Sequence, residues 1–112
     1  MIEQKIEQLG KLRDGWDGNG ALAPSPEALV SIGFIIKSLK KSVLMHCVLF
    51  PANDGGVYLQ GRFRNGKLSV YVQKDQMTYV VKTPTQKETA ENVLVNRENT
   101  ARLSDIVSGL FA

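Results

Sequence analysis

Hydrophobic residues in the first third of the chain recur every three or four positions, which is the spacing of an amphipathic helix. Two stripes follow this rule, formed by Ile2, Ile6, Leu9 and Leu12, and by Leu29, Ile32, Ile36 and Leu39. The first stripe predicts a helix over residues 2–13. The second predicts a helix that begins after Ser25, because a Ser-Pro-Glu sequence suits the cap and first turn. It should end near Lys40 and Lys41, whose charges complement the helix dipole.

The period changes to that of strands at Val43. The uncharged run from Val43 to Phe50 predicts a buried strand. Three further segments alternate polar and apolar residues, as half-buried strands do, and they cover residues 57–64, 67–74 and 77–83. Residues 85–95 are ambiguous, because Val-Leu-Val at 93–95 fits either a short edge strand or a connection.

Two turns set the predicted faces of the sheet. Asn65-Gly66 is a strong hairpin signal and predicts a type I′ turn in which Arg64 lies opposite Lys67. A second two-residue turn is predicted over 75–76. Alternation from these turns gives the sheet one apolar and one polar face. The apolar face comprises Val57, Leu59, Phe63, Leu68, Val70, Val72, Met77, Tyr79 and Val81.

A helical stripe returns at the C-terminus, where Asn96 or Asn99 can cap a last helix. The stripe consists of Leu103, Ile106, Val107, Leu110 and Phe111. The predicted fold class is therefore α+β. It is a two-layer sandwich, with an antiparallel meander of three to five strands that carries two N-terminal helices and one C-terminal helix on one face. No linker or repeat divides the chain, so residues 1–112 are predicted to form a single domain.

Composition and charge narrow the setting. Apolar residues form 43% of the 112 positions and charged residues 22%, which is ordinary for a globular domain. The net charge of +3 permits an acidic partner but does not require nucleic acid. Cys47 is the only cysteine, so no intramolecular disulfide can form, and we expect a cytoplasmic protein with Cys47 buried. No run approaches the ~20 apolar residues that span a bilayer, so no membrane association is expected.

The polar face of the predicted sheet is basic and partly aromatic. It carries Tyr58, Arg62, Arg64, Lys67, Tyr71 and Lys82. The cations could neutralise phosphates or an acidic partner, and the two tyrosines could stack on nucleic-acid bases. The alternative is a solvated sheet face, on which lysine and arginine only keep the strands soluble.

The glycine-rich loop between the first two helices holds the only tryptophan. Trp16 is predicted to anchor this loop by packing where the two apolar stripes converge, while Asp14 and Asp17 bond loop amides. A calcium loop would need further oxygen ligands and a closing glutamate, and Ala21 interrupts the series. The sequence also has no zinc pattern, phosphate loop or dinucleotide fingerprint. We therefore predict no metal, no cofactor and no catalytic residue.

The run from Gly15 to Leu29, with Asp54-Gly-Gly further on, resembles a loosely described group of small prokaryotic proteins. Their shared features are a Trp-Asp-Gly loop, a Gly-Ala pair, a Pro-Ser helix start and an Asp-Gly-Gly turn that opens a strand. The resemblance covers about half of the chain. Such proteins often have a residue with an aromatic side chain where this chain has Asn19. They are often accessory or mobile-element proteins, so the resemblance implies a binding role more than a metabolic one.

Three functions remain open on these observations. The first is a non-enzymatic module that binds another protein, as an accessory, inhibitor or antitoxin-like partner, with a homodimer as one form of such an assembly. The second is a nucleic-acid-binding protein that uses the basic face. The third is a small enzyme with a site near the Trp16 loop. The absence of a catalytic constellation favours the first.

Overall fold

The computed structural model describes residues 2–111, which form four helices and one five-stranded sheet. The helices are α1 (Ile2–Gly10), α2 (Pro26–Ser38), α3 (Lys41–Leu44) and α4 (Arg97–Phe111). The strands are β1 (Cys47–Pro51), β2 (Val57–Phe63), β3 (Gly66–Gln73), β4 (Gln76–Lys82) and β5 (Lys87–Leu94). The strands follow one another across the sheet in chain order, and every pairing is antiparallel. The predicted α+β meander is therefore confirmed.

One apolar core lies between the helices and one face of the sheet. Side chains of all four helices contribute to it together with alternate residues of β1 to β4, so the helices share one side of the sheet. The apolar face predicted from alternation is buried, apart from the half-buried Phe63. The opposite face carries none of these four helices. We call it the outer face.

The starts of α2 and α4 follow the sequence signals, but α1 ends at Gly10 and not at residue 13 as predicted. The Ser25 side chain accepts from the backbone N–H of Ala28, with Pro26 next to it as the first helical residue. Asn96 caps α4, since its side-chain oxygen accepts from the N–H of Asn99. Burial of helical apolar stripes against a sheet provides most of the stability of such helices.

The sequence predicted one strand from Val43 to Phe50, but the structure divides this run into a helix and a strand. Val43 is buried, but it lies in the four-residue helix α3, and the strand begins only at Cys47. This helical turn carries the chain from the end of α2 to β1 at the sheet edge. The backbone N–H groups of Val43 and Leu44 are both bonded to the carbonyl of Lys40. Periodicity alone cannot separate a short apolar helix from a strand.

The register of the first predicted hairpin is wrong by two residues. Phe63 pairs with Gly66 and Arg62 with Lys67, so Arg64 and Asn65 form the turn, and neither has the positive φ of a type I′ turn. Contacts with α4 hold this arrangement. The Asn65 side chain donates to the carbonyl of Leu110. The ring of Phe63 stacks on that of Phe111, with centroids 4.2 Å apart.

The second turn differs from its prediction by the same amount. Gln73 pairs with Gln76, and Lys74 adopts a φ of 55° in the turn. The Ser31 hydroxyl of α2 donates to the carbonyl of Lys74 over 2.7 Å, and that contact fixes the turn. Because both shifts are of two residues, each side chain stays on its predicted face.

Strand β5 resolves the ambiguous segment and contains a bulge. Tyr79 pairs with Ala90, but Met77 pairs with Val93, so β5 has one extra residue opposite Thr78. Asn92 lies in the bulge with a φ of 50°, and its N–H donates to the Thr78 hydroxyl. The bulge places Ala90 and Val93 on the same face although they are three residues apart. For this reason the segment shows no strand alternation in the sequence.

No helix between residues 2 and 111 is long and apolar enough to cross a membrane.

Candidate functional site on the outer face of the sheet

Four cationic side chains face one another in a single row across the outer face. Arg62 pairs with Lys67, Lys67 with Lys82, and Lys82 with Lys87, so the row crosses β2 to β5 without interruption. All four residues are exposed. Like charges placed directly opposite one another destabilise a sheet, so the fold tolerates this row at some cost. We call these four residues the cationic row.

The row of strand positions next to the cationic row carries no charge. The neighbouring row across the same strands consists of Gln60, Ser69, Val80 and Thr89. Glu88 follows Lys87 but pairs with Val81, which belongs to the core face. Side chains of adjacent strand residues point to opposite faces, so Glu88 lies on the helix side of β5. Within the described strands, no carboxylate therefore occupies a ladder position that could offset the row.

Three aromatic rings lie together further along β1, β2 and β3. Phe50 and Tyr58 are cross-strand partners and stack with centroids 5.2 Å apart. Tyr58 and Tyr71 are also partners, with centroids 4.9 Å apart. Each of the three is half-buried. We call them the aromatic row, and they give the outer face a continuous aromatic surface at the end opposite the cationic row.

Tyr71 has a structural role within the aromatic row. Its hydroxyl donates to the carboxylate of Asp54, and its ring lies over Gly56. A Cβ on Gly56 would come within 2.8 Å of the ring and 2.6 Å of the carbonyl oxygen of Val72, so only glycine fits. Burial raises the pKa of Tyr71 above its usual value, and the hydrogen bond to Asp54 and its negative charge act in the same direction. Tyr58 has no such tie and is the better candidate for ligand contact.

The structure brings together most of the residues predicted for this face. Arg62, Lys67 and Lys82 form three quarters of the cationic row, and Tyr58 and Tyr71 belong to the aromatic row. Arg64 is the exception. It lies exposed in the turn after β2 and not opposite Lys67, because the hairpin register differs by two residues.

The sequence analysis did not predict two residues of the outer face. Lys87 was missed because Lys87, Glu88 and Thr89 are all polar, so this part of β5 shows no alternation in the sequence. Phe50 was missed because an uncharged run does not show which of its residues face outwards. The position of Phe50 becomes clear only from its pairing with Tyr58 in the folded sheet.

The Trp16 loop is a structural unit held by its own hydrogen bonds. Asp17 accepts from the N–H groups of Asn19 and Ala21, and these bonds lower its pKa. Asp14 accepts from the N–H of Ala23. The indole N–H of Trp16 donates to the carbonyl of Leu22 over 2.9 Å.

The packing predicted for Trp16 is wrong. Its side chain is half-buried, and it is not among the side chains that contact the core within residues 2–111. The hydrogen bond of its indole ties it to Leu22 of its own loop. Trp16 thus holds the loop in shape without joining it to the core.

The two segments that carry the sequence resemblance are joined in space. The N–H of Leu22 donates to the carbonyl of Asn53, and that of Ser25 donates to the carbonyl of Gly55. Leu22 also forms a parallel bridge with Asp54, whose carboxylate accepts from Tyr71. The Trp-Asp-Gly loop, the Asp-Gly-Gly turn and the aromatic row therefore form one connected structure.

Groups that could support catalysis are scattered. Residues 2–111 contain no cluster of three or more His, Cys, Asp or Glu side chains that could hold a metal ion. Burial raises the pKa of Cys47 to about 11, so its thiol is protonated at neutral pH. His46 precedes Cys47 in the chain, with its ring against Phe63.

A scan of protein-family models, a search of curated proteins and a search of solved structures each gave no match to this chain.

Proposed function

We propose that this protein is a non-enzymatic binding module that takes up single-stranded nucleic acid on the outer face of its sheet. The observation that supports this most is the cationic row, four cations in mutual opposition with no carboxylate among their ladder partners. Phosphates bound along the row would relieve the repulsion that the unliganded fold tolerates. Binding would then release the counterions of the nucleic acid, which is the main source of affinity in such complexes.

The dimensions of the face suit a flexible strand. Neighbouring strands lie about 4.8 Å apart, so the cationic row extends over about 14 Å. Tyr58 of the aromatic row lies four residues before Arg62 in β2. The two residues are therefore about 13 Å apart along this strand. A single strand could place its backbone on the cations and stack a base on Tyr58. A duplex would leave the aromatic row unused, since its bases are stacked inside, and the face has no helix to enter a groove.

Fluorescence anisotropy with a labelled single-stranded RNA or DNA oligonucleotide tests the proposal. The variant Lys67→Gln, Lys82→Gln should bind more weakly. Because this variant neutralises two fewer phosphates, its plot of log affinity against log salt should be shallower by about 1.4. The control Lys37→Gln, Lys40→Gln removes the same charge from exposed positions at the end of α2. It should retain the wild-type affinity.

A separate variant tests the aromatic row. Tyr58→Ala should weaken binding by about 5- to 150-fold, the range for loss of one stacked base. Tyr71 is unsuitable for this test because its hydroxyl holds Asp54. No binding by the wild-type protein at low salt, or equal losses in the two double-lysine variants, would refute the assignment of the face.

An acidic protein surface is the second candidate ligand, because the cationic row recognises charge and not bases. The protein would then act as an accessory or antitoxin-like partner. One result would favour this candidate: Tyr58→Ala would bind the oligonucleotide as tightly as the wild type does.

A further inference from the structure

The two edges of the sheet differ in their protection. Strand β5 bears Lys87, Glu88 and Glu91 and is bent by its bulge, and these features discourage pairing with another strand. Strand β1 has neither device. The ten residues from Val43 to Ala52 contain no charged side chain among them. Val48 in β1 is 60% exposed, and the neighbouring Met45 is 81% exposed.

The hydrogen bonds of β1 show which backbone groups are free. The N–H of Arg62 donates to the carbonyl of His46, and the N–H of Ala52 donates to the carbonyl of Gly56. The carbonyl of His46 and the N–H of Ala52 therefore point toward β2 and the turn that precedes it. Because this direction alternates along an antiparallel strand, Cys47, Leu49 and Pro51 point their backbone groups to the open edge.

A groove of about 720 Å³ runs along this edge between β1, α1 and α3. Ile2, Leu44 and Val48 provide apolar lining. Its charged lining consists of Glu3 and Lys5 from α1 and Lys41 from α3. Two copies that meet here about a two-fold axis therefore each offer one acidic and two basic groups.

We propose that β1 pairs antiparallel with β1 of a second copy of this chain, centred on Leu49. This pairing sets Leu49 opposite Leu49 of the second copy and Cys47 opposite Pro51. The N–H groups of Leu49 and Cys47 then donate to carbonyls of the other chain, and Pro51 lies at the end of the ladder, where a missing N–H is tolerated. Val48 comes to lie opposite Phe50 on the outer face, so the exposed valine of each copy is covered.

A second copy fits this edge better than an open-ended array does. Of the two edges of the described sheet, only β1 lacks both charged side chains and a bulge. An isologous contact through β1 therefore covers this edge and closes the assembly as a dimer. The two-fold axis is perpendicular to the sheet, and both outer faces lie on the same side of a ten-stranded sheet. This inference does not depend on nucleic-acid binding.

Sedimentation velocity across a range of protein concentrations tests the proposal. The wild type should sediment as a species of twice the chain mass, and Val48→Lys should sediment as a monomer with an unchanged circular dichroism spectrum. The matched control is Val30→Lys on α2, a 75% exposed valine beside a shallow groove of about 410 Å³. It should leave the dimer intact.

Hydrogen exchange on the wild-type protein gives a second measurement that needs no variant. The amides of Cys47 and Leu49 should become more protected as the concentration rises. A monomeric wild type at all concentrations would overturn the proposal. A dimer that survives Val48→Lys but is lost in Val30→Lys would also overturn it, since the contact would then be on α2. Amides of Cys47 and Leu49 that exchange equally fast at every concentration would refute the pairing even if a dimer forms.

Discussion

Replacement of Lys67 by glutamine should raise the free energy of unfolding, because Lys67 faces two like charges. Arg62 and Lys82 are its cross-strand partners. Two unit charges at a cross-strand distance of about 5 Å repel by roughly 0.8 kcal/mol in water. Ionic screening at physiological salt, and the spreading of long side chains, reduce this to about 0.2–0.45 kcal/mol for each pair. Removal of both pairs should therefore stabilise the fold by about 0.4–0.9 kcal/mol.

Urea unfolding followed by circular dichroism, at low and at high salt, measures this gain. It should be largest at low salt and should disappear near molar salt, where the Debye length is about 3 Å. Lys37→Gln is the control, because Lys37 lies in the last turn of α2, where its charge is favourable to the helix dipole. Its stability should stay the same or fall. Two results would contradict the repulsion between these cations that the register implies. One is a lower free energy of unfolding for Lys67→Gln at low salt, and the other is an equal gain at all salt concentrations.

Three further predictions concern stability. Gly56→Ala should lose about 1–3 kcal/mol in urea unfolding, since its Cβ would lie 2.6 Å from the carbonyl oxygen of Val72; an unchanged midpoint would contradict this. Trp16→Ala should lose about 0.5–1.5 kcal/mol, the usual contribution of one hydrogen bond; a loss above about 3 kcal/mol would mean that Trp16 packs like a core aromatic. The pKa of Cys47 is raised from 9.0 to about 11 in the folded protein, so below pH 9 the thiol is neutral in the folded and in the unfolded state. Above pH 9 the thiol ionises first in the unfolded chain, which favours unfolding. The melting temperature should fall as the pH rises through this window, and fall less in Cys47→Ala; equal falls would exclude a contribution from the thiol.

Local patterns in the sequence determined the layers of this protein and the faces of its sheet. Alternation in β2, β3 and β4 placed Arg62, Lys67 and Lys82 together on the outer face. That assignment survived two wrong turn predictions. A shift of two residues moves a strand by one full period, so no side chain changes face. The caps at Ser25 and Asn96 could be predicted for a similar reason, because the bonds they make reach only three residues.

Tertiary contacts decided the register, the edge strand and the place of Trp16. The first hairpin is held by Leu110 of α4 and the second turn by Ser31 of α2, each more than 40 residues away from its partner in the chain. The bulge in β5 depends on Thr78 of the neighbouring strand. A turn propensity or a period of two describes only neighbours in sequence. The free energy that selects one register over another comes from side chains that meet only when the chain has folded, so it leaves no local signal to read.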